Sequence, residues 1–280
     1  MKNGRPIGVF DSGMGGLTVL RELVNHLPNE SYIYLGDTAR LPYGTKSPET
    51  VSRYATQMAS ILIAQNIKLL VVACNTASTA ALPQLQQQFP HIPIIGVVEP
   101  GARAAVVATK NNKVALLATE TTIQSGIYQN TLRALSPQIE ITTQTCGLFV
   151  ALAEEGCTND EIALLVAKKY LEPIINGYHQ CDSVILGCTH FPVLMEPLAA
   201  ILGDQINIIN SAKATATEVQ SILQKNNPTP LDHPPTLSFL VTDSPERFTR
   251  IGEIFFGRGI DAKKVHLIDG QYSQSFKTPK

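Results

Sequence analysis

The chain has 280 residues, of which 44% are hydrophobic and 16% charged, with a formal net charge of −1. That is length enough for one large core or two modest ones, and the composition is ordinary for a globular protein in water. The balanced charge argues against a nucleic-acid or membrane-surface partner, and the longest apolar runs, such as 69–73, are too short to cross a bilayer.

Residues 1–5 lead directly into an apolar segment without the layout of a signal peptide, so the expected compartment is the cytoplasm. From there, short apolar runs alternate with longer helical stretches, the pattern of α/β units with mainly parallel strands. Strands are expected at 7–10, 33–35, 69–73 and 94–97, with helices at 17–27, 49–66 and 76–89. A second set follows, with strands at 114–117, 139–142, 184–186 and 206–209 and helices at 122–135, 158–176 and 191–202. The tail departs from this plan: a helix at 211–225, a Pro- and Asn-rich loop at 226–235, a strand at 236–241, a helix at 245–256 and a strand at 265–268. The economical arrangement is two similar, pseudo-twofold-related α/β domains with the active site in the cleft between them. The first would comprise 1–98 plus 212–280, because a tail this short is marginal alone, and the second 99–211.

The two sets agree in where their polar residues fall. In each, the first strand ends in a polar cluster, Asp11-Ser12-Gly13 and Thr119-Glu120-Thr121-Thr122. In each, the third strand ends in a cysteine with a threonine close behind, Cys74-Asn75-Thr76 and Cys188-Thr189-His190. Ligands of open α/β sheets bind beyond the carboxyl ends of strands, where helix N-termini offer free N–H groups to carboxylates. The glycines after Asp11 lack the Gly-Lys-Ser/Thr of a nucleotide loop, and Thr18 stands where a dinucleotide fingerprint needs glycine.

There are five cysteines, with no C-x-x-C pair and an odd count, which suits a reducing compartment. Cys146, Cys157 and Cys181 read as small buried hydrophobes. Two cysteines at equivalent strand ends need a further reason. Inverting a carbon requires one group to remove a proton from one face and another to deliver a proton to the opposite face. Thiols can serve in both roles after modest tuning, and Asp11 and His190 are the nearby residues that could tune them. A Cys–His hydrolase would leave one thiol unused. A zinc site lacks ligands at recognisable spacing, and no lysine stands at a strand end to hold pyridoxal phosphate, so neither a metal nor a cofactor is expected.

These segments resemble the motifs of glutamate racemases: Asp11-Ser12-Gly-x-Gly-Gly-Leu-Thr-Val, Gly36-Asp37-Thr-Ala-Arg40-x-Pro42-Tyr43-Gly44, Ala73-Cys74-Asn75-Thr76-Ala77, Glu99-Pro100-Gly101, Ala118-Thr119-x-x-Thr122 with Ser125 and Tyr128, and Gly187-Cys188-Thr189-His190-Phe191-Pro192. The likeness runs in order from about residue 7 to 220. It implies interconversion of L- and D-glutamate without a cofactor, supplying D-glutamate for peptidoglycan, in a small-molecule enzyme that forms homodimers. Cys74 would act on the D-enantiomer and Cys188 on the L-enantiomer, assisted by Asp11, His190, Asp37 and Glu154. Substrate contacts would come from Asp11, Ser12, Tyr43, Gly44, Asn75, Thr76, Thr119, Thr122, Thr189 and His190. The competing activities are racemisation of aspartate or a hydantoin, and, in another class, a two-lobed amino-acid-binding protein that would have no use for two facing thiols. Asp37, Asn75, Thr76 and Thr189 have a structural alternative as helix caps, and Tyr43-Gly44 as a turn.

Overall fold

The computed structural model describes residues 4–176, 180–225 and 234–269. Apolar runs that must be covered on both faces become parallel strands. In chain order, β1 (Ile7–Asp11), β2 (Tyr32–Gly36), β3 (Leu69–Val72) and β4 (Ile94–Gly96) alternate with α1 (Leu17–His26), α2 (Pro48–Ala64) and α3 (Asn75–Gln88). After α4 (Val98–Ala108) come β5 (Lys113–Ala118), α5 (Glu120–Gln124), α6 (Ile127–Leu135), β6 (Glu140–Thr145), α7 (Leu148–Glu154) and α8 (Glu161–Ile175). Then follow β7 (Ser183–Gly187), a 3-10 turn at Phe191–Leu194, α9 (Met195–Leu202), β8 (Asn207–Asn210) and α10 (Ser211–Lys225). The chain closes with β9 (Leu237–Val241), α11 (Pro245–Phe256) and β10 (Val265–Leu267).

Two parallel sheets result, ordered β10-β9-β2-β1-β3-β4 and β6-β5-β7-β8. The order β2-β1-β3-β4 recurs as β6-β5-β7-β8, so β3 and β7, whose ends carry Cys74 and Cys188, are topological equivalents. Both lobes therefore place their polar strand ends at the same switch of chain direction, beside the central first strand, where open sheets of this kind bind ligands. The tail adds β9 and β10 to the first sheet's edge, with β9 in register on β2 from Tyr32↔Leu237 to Gly36↔Val241.

Side chains alternate across each sheet. Ile7, Val9, Leu69 and Val71 join a core with α1, α10 and α11, whereas Phe10, Leu70 and Val72 face the core under α2 and α3. In the second sheet, Ala115 and Leu117 face one core and Val114, Leu116 and Ala118 the other. β6 is different: an edge strand rich in threonine, with most of its side chains partly or fully exposed.

The structure corrects the sequence reading in several places. A helix that the sequence reading does not contain, α4, begins at Val98 and includes Glu99-Pro100-Gly101; proline is tolerated in a first turn, whose N–H groups have no intrahelical partner. The single helix expected over 122–135 is two, separated by Gly126 at φ +68°. A short helix, α7, precedes α8, which starts at Glu161 under an Asp160 cap rather than at 158. The loop expected over 226–235 lies outside the described residues for 226–233. Among the described residues, no helix is long and apolar enough to cross a membrane.

Candidate active site

The site begins with Asp11, the last residue of β1, wholly buried between its own sheet and the facing lobe. Its Oδ2 accepts the Gly13 N–H at 2.9 Å. Burial raises its pKa above the usual carboxylate value, against the lowering effects of His190 and of the N–H groups of Gly16, Gly13 and Ser12.

Cys74 stands just beyond β3 and is itself the N-cap of α3, its Sγ accepting the Ala77 N–H at 3.4 Å. The cap role suggested for Asn75 or Thr76 thus belongs to the thiol. Cys74 is 5% exposed. Burial, and then the charge of Asp11, push this thiol up to about 12; hydrogen bonds from Ser12 and Ala77 pull the other way, and Cys188 adds a further rise. The influence of Cys188 on Cys74 places the two thiols near each other although their residues come from different sheets.

Cys188, 8% exposed, follows β7 and leads into the 3-10 turn. Its Sγ lies 3.9 Å from His190 Nδ1, and His190 Nε2 lies 3.1 Å from Glu154 Oε1 at the end of α7. Burial alone would lower the imidazole pKa, but the contacts with Cys188 and Glu154 prevail and hold it at about 10. Glu154 is the reciprocal case. Burial would raise it, yet His190 and Arg247 bring it below the ordinary glutamate value. The two thiols consequently have unlike neighbours, a carboxylate for Cys74 and an imidazolium–carboxylate pair for Cys188.

The lobes meet through polar groups around this pair. The Thr18 hydroxyl donates to the Thr189 carbonyl at 3.0 Å, and the Thr189 hydroxyl approaches Asp11 Oδ1 at 3.5 Å. Hydroxyls of Thr76, Thr119 and Thr122 form a triangle with sides of 3.1, 3.1 and 3.0 Å. The Tyr128 hydroxyl donates to Asn75 Oδ1 at 2.7 Å, while Asn75 Nδ2, also buried, has no hydrogen-bond partner. A buried, unpaired amide donor costs on the order of 1–3 kcal/mol unless something accepts from it. A ligand carboxylate would do so.

Tyr43 and Gly44 do form a turn, a short 3-10 segment, but one pressed against the opposite lobe. Gly44 O accepts the Thr121 hydroxyl at 2.9 Å, and a Cβ on Gly44 would lie 2.7 Å from Thr119 Cβ. The Tyr43 hydroxyl donates to Asp37 in a short hydrogen bond. Asp37 caps no helix. Its carboxylate also holds Arg40 Nε, at 3.0 and 2.7 Å, and the Thr242 hydroxyl, at 2.9 Å. Its oxygens are thus engaged in fixing the Tyr43 loop, at one remove from the thiols.

The structure therefore gathers Asp11, Ser12, Cys74, Asn75, Thr76, Thr119, Thr122, Cys188, Thr189 and His190 at one place, with Glu154 behind His190 and Asp37 behind Tyr43. Sequence reasoning missed Gly15, where any Cβ would run into Thr189 and His190 of the other lobe, and Arg247, an ion-pair partner of Glu154. Gly15 was visible as part of a glycine cluster. Arg247 lies in a tail without any motif to mark it.

The sequence pattern of the Asp/Glu/Hydantoin racemase family matches residues 7–219. A glutamate racemase of Geobacter metallireducens is 46% identical over 254 residues, covering 90% of this chain and 93% of the relative. The crystal structure of a Francisella tularensis glutamate racemase in complex with D-glutamate superposes with a TM-score of 0.88 at 38% identity, covering 96% of this chain and 99% of that one. A Bacillus anthracis glutamate racemase superposes with a TM-score of 0.89, also at 38% identity, covering 95% and 98%.

Proposed function

The chain belongs to the Asp/Glu/Hydantoin racemase family, and from that premise we infer that it is a glutamate racemase whose Cys74 and Cys188 exchange the α-proton on opposite faces of the substrate. The observation that carries the roles is the pairing itself: two buried thiols at equivalent strand ends of two facing lobes, near enough that the charge of Cys188 is felt at Cys74. Starting from L-glutamate, the Cys188 thiolate takes the Cα proton and becomes a thiol, and the electron pair left on Cα spreads into the α-carboxylate. The Cys74 thiol then gives its proton to the other face and becomes a thiolate, yielding D-glutamate. The reverse reaction exchanges these roles. Both proton transfers use the chain's own side chains, so the scheme calls on no cofactor.

The surroundings suit this division. A thiol held near 12 beside Asp11 stays protonated, as the donor must be, and the His190 imidazole stands 3.9 Å from the Cys188 sulfur. When D-glutamate is the substrate, Cys74 must first lose its proton. The substrate ammonium supplies a positive charge that lowers the thiol pKa against the opposing charge of Asp11, and Asp11, made more basic by burial, is the nearby carboxylate to take up the proton. The unpaired Asn75 amide and the Thr76, Thr119 and Thr122 hydroxyls suit the substrate carboxylates, with Ser12, Thr189 and the Tyr43-Gly44 turn completing the enclosure. Fixed donors in a site closed to water stabilise the carbanion-like transition state more than bulk water does. D-glutamate made in the cytoplasm for peptidoglycan is the physiological role that accords with this activity.

The test is incubation with L-glutamate in D₂O. Optical rotation should decay to zero while deuterium enters Cα. Cys74→Ser and Cys188→Ser should each lower racemisation by roughly a thousandfold or more, the scale of a lost acid/base. A variant of either thiol that kept normal turnover would remove that residue from the mechanism.

A further inference from the structure

By chain connection and packing, α11 belongs to the first lobe: Phe248, Phe255 and Phe256 lie in the core around Tyr34 and Phe239. Its free face, however, meets the second lobe at the residues behind Cys188. Arg247 Nη1 lies 3.6 Å from Glu154 Oε2, and Nη2 lies 3.8 Å from Glu155 Oε1. The Phe255 ring meets the His190 imidazole edge to face, with centroids 5.1 Å apart and planes at 77°. Ile254 Cδ1 comes within 3.4 Å of where a Cβ on Gly156 would be.

The division of labour on Glu154 is specific. Oε1 faces His190 Nε2 and Oε2 faces Arg247, so the guanidinium sets the rotation of the very carboxylate that orients the imidazole. Phe255 confines the ring from a second direction. We propose that α11 is a cross-lobe buttress for the second thiol, with Arg247 and Phe255 as positioning residues that keep His190 aimed at Cys188 when the lobes are together. The proposal rests on the reading of Cys188 as an acid/base. The Arg247 side chain is 37% exposed, which weakens the pair as a source of stability but not as a geometric constraint. The charged and titratable groups facing His190 are Cys188 beyond β7, Asp11 on β1 and Glu154 on α7, with Arg247 of α11 acting on it through Glu154.

The experiment compares wild type with Arg247→Gln, Arg247→Lys, Phe255→Leu and Cys188→Ser, measuring kcat and KM in both directions and kcat/KM against pH. Enantiomers have an equilibrium constant of one, so kcat/KM must fall equally in both directions. Loss of a second-layer orienting group should lower kcat about tenfold in Arg247→Gln. The acid limb of its profile should move to higher pH, since Glu154 loses a positive neighbour. Arg247→Lys keeps the charge without the fork, so the acid limb should stay in place while kcat falls about threefold. Phe255→Leu should lower kcat and leave the limb unmoved. A folded Arg247→Gln with wild-type kcat and an unmoved acid limb would overturn the proposal. If that variant does not fold, wild-type kcat in both Arg247→Lys and Phe255→Leu would overturn it instead. Full racemisation by Cys188→Ser would instead strike the underlying role of the thiol, so the two failures are distinct.

Discussion

Cys74 shares its surroundings with Asp11, whereas Cys188 lies 3.9 Å from an imidazole that Cys188 itself and Glu154 keep protonated against the effect of burial. The difference can be read thiol by thiol. In Asp11→Asn the like charge beside Cys74 is gone, so its titration midpoint should fall from about 12. It should stay above the ordinary thiol value, because burial is the larger cause of the rise. A difference titration of thiolate absorbance between Asp11→Asn and Asp11→Asn/Cys74→Ser reads this directly. No change on removing the carboxylate would mean that Asp11 does not govern the thiol. His190 makes a second prediction, about stability. Its pKa is 6.5 in an unconstrained chain and about 10 in the fold, so folding favours the protonated form. The resulting stabilisation is complete below about pH 6.5 and is lost as pH rises through about 10. The partner Glu154 is shifted downward, so its share is present above 4.5 and lost as pH falls below that value. Urea midpoints of wild type minus His190→Gln should therefore be greatest between pH 4.5 and 6.5 and shrink on the alkaline side. A difference that grew above about pH 7 would contradict the raised imidazole.

At the scale of elements, the junction of α5 and α6 offers a clean substitution. Gly126 caps α6 at φ +68°, and a Cβ there would meet only Asn130 Nδ2, at 3.9 Å. Gly126→Ala should thus cost the left-handed backbone strain and nothing else, roughly 1–2 kcal/mol, seen as a lower denaturant midpoint with racemisation retained. The same junction shows what the sequence conveyed and what it did not. Strands β1, β3, β5 and β7 were legible because apolar runs buried on both faces have no other use in a chain of this composition. Their ends were legible for the complementary reason: Asp11, Cys74, Thr119 and Cys188 are polar or reactive groups following directly on such runs. Helix breaks were less visible, since one glycine at 126 within a helical pattern marks a break only when its φ is known. Helix α4 went unread, and its Pro100 lies in the first turn, where proline is tolerated but does not by itself mark a helix. The contribution of α11 was hidden altogether. Arg247 and Phe255 lie far along the chain from Glu154 and His190, and only the return of β9 to the edge of the first sheet brings them near.

For the whole molecule, duplication of the β2-β1-β3-β4 order explains why a reaction with two faces can be housed here at all, since equivalent strand ends of facing lobes present their residues from opposite sides. The enclosure then depends on how closely the lobes approach, and Gly15 is where that distance is least forgiving. Its backbone is not in the left-handed region, so alanine can adopt it, but the added Cβ would overlap the Thr189 hydroxyl and the His190 ring. The first lobe could still fold with that methyl group in place; the second could not seat fully against it. Gly15→Ala should therefore leave the thermal midpoint close to wild type while lowering kcat/KM about a hundredfold, the usual consequence of holding reacting groups about 1 Å from their proper places. Gly147→Ala is the matched control, because nothing lies within 4 Å of its Cβ position and its φ is −59°. If Gly15→Ala retained full activity, contact between Gly15 and the Thr189-His190 segment could not be part of the reacting arrangement. If instead it lost activity together with its folding transition, the glycine would serve the first lobe's own stability rather than the closure of the two.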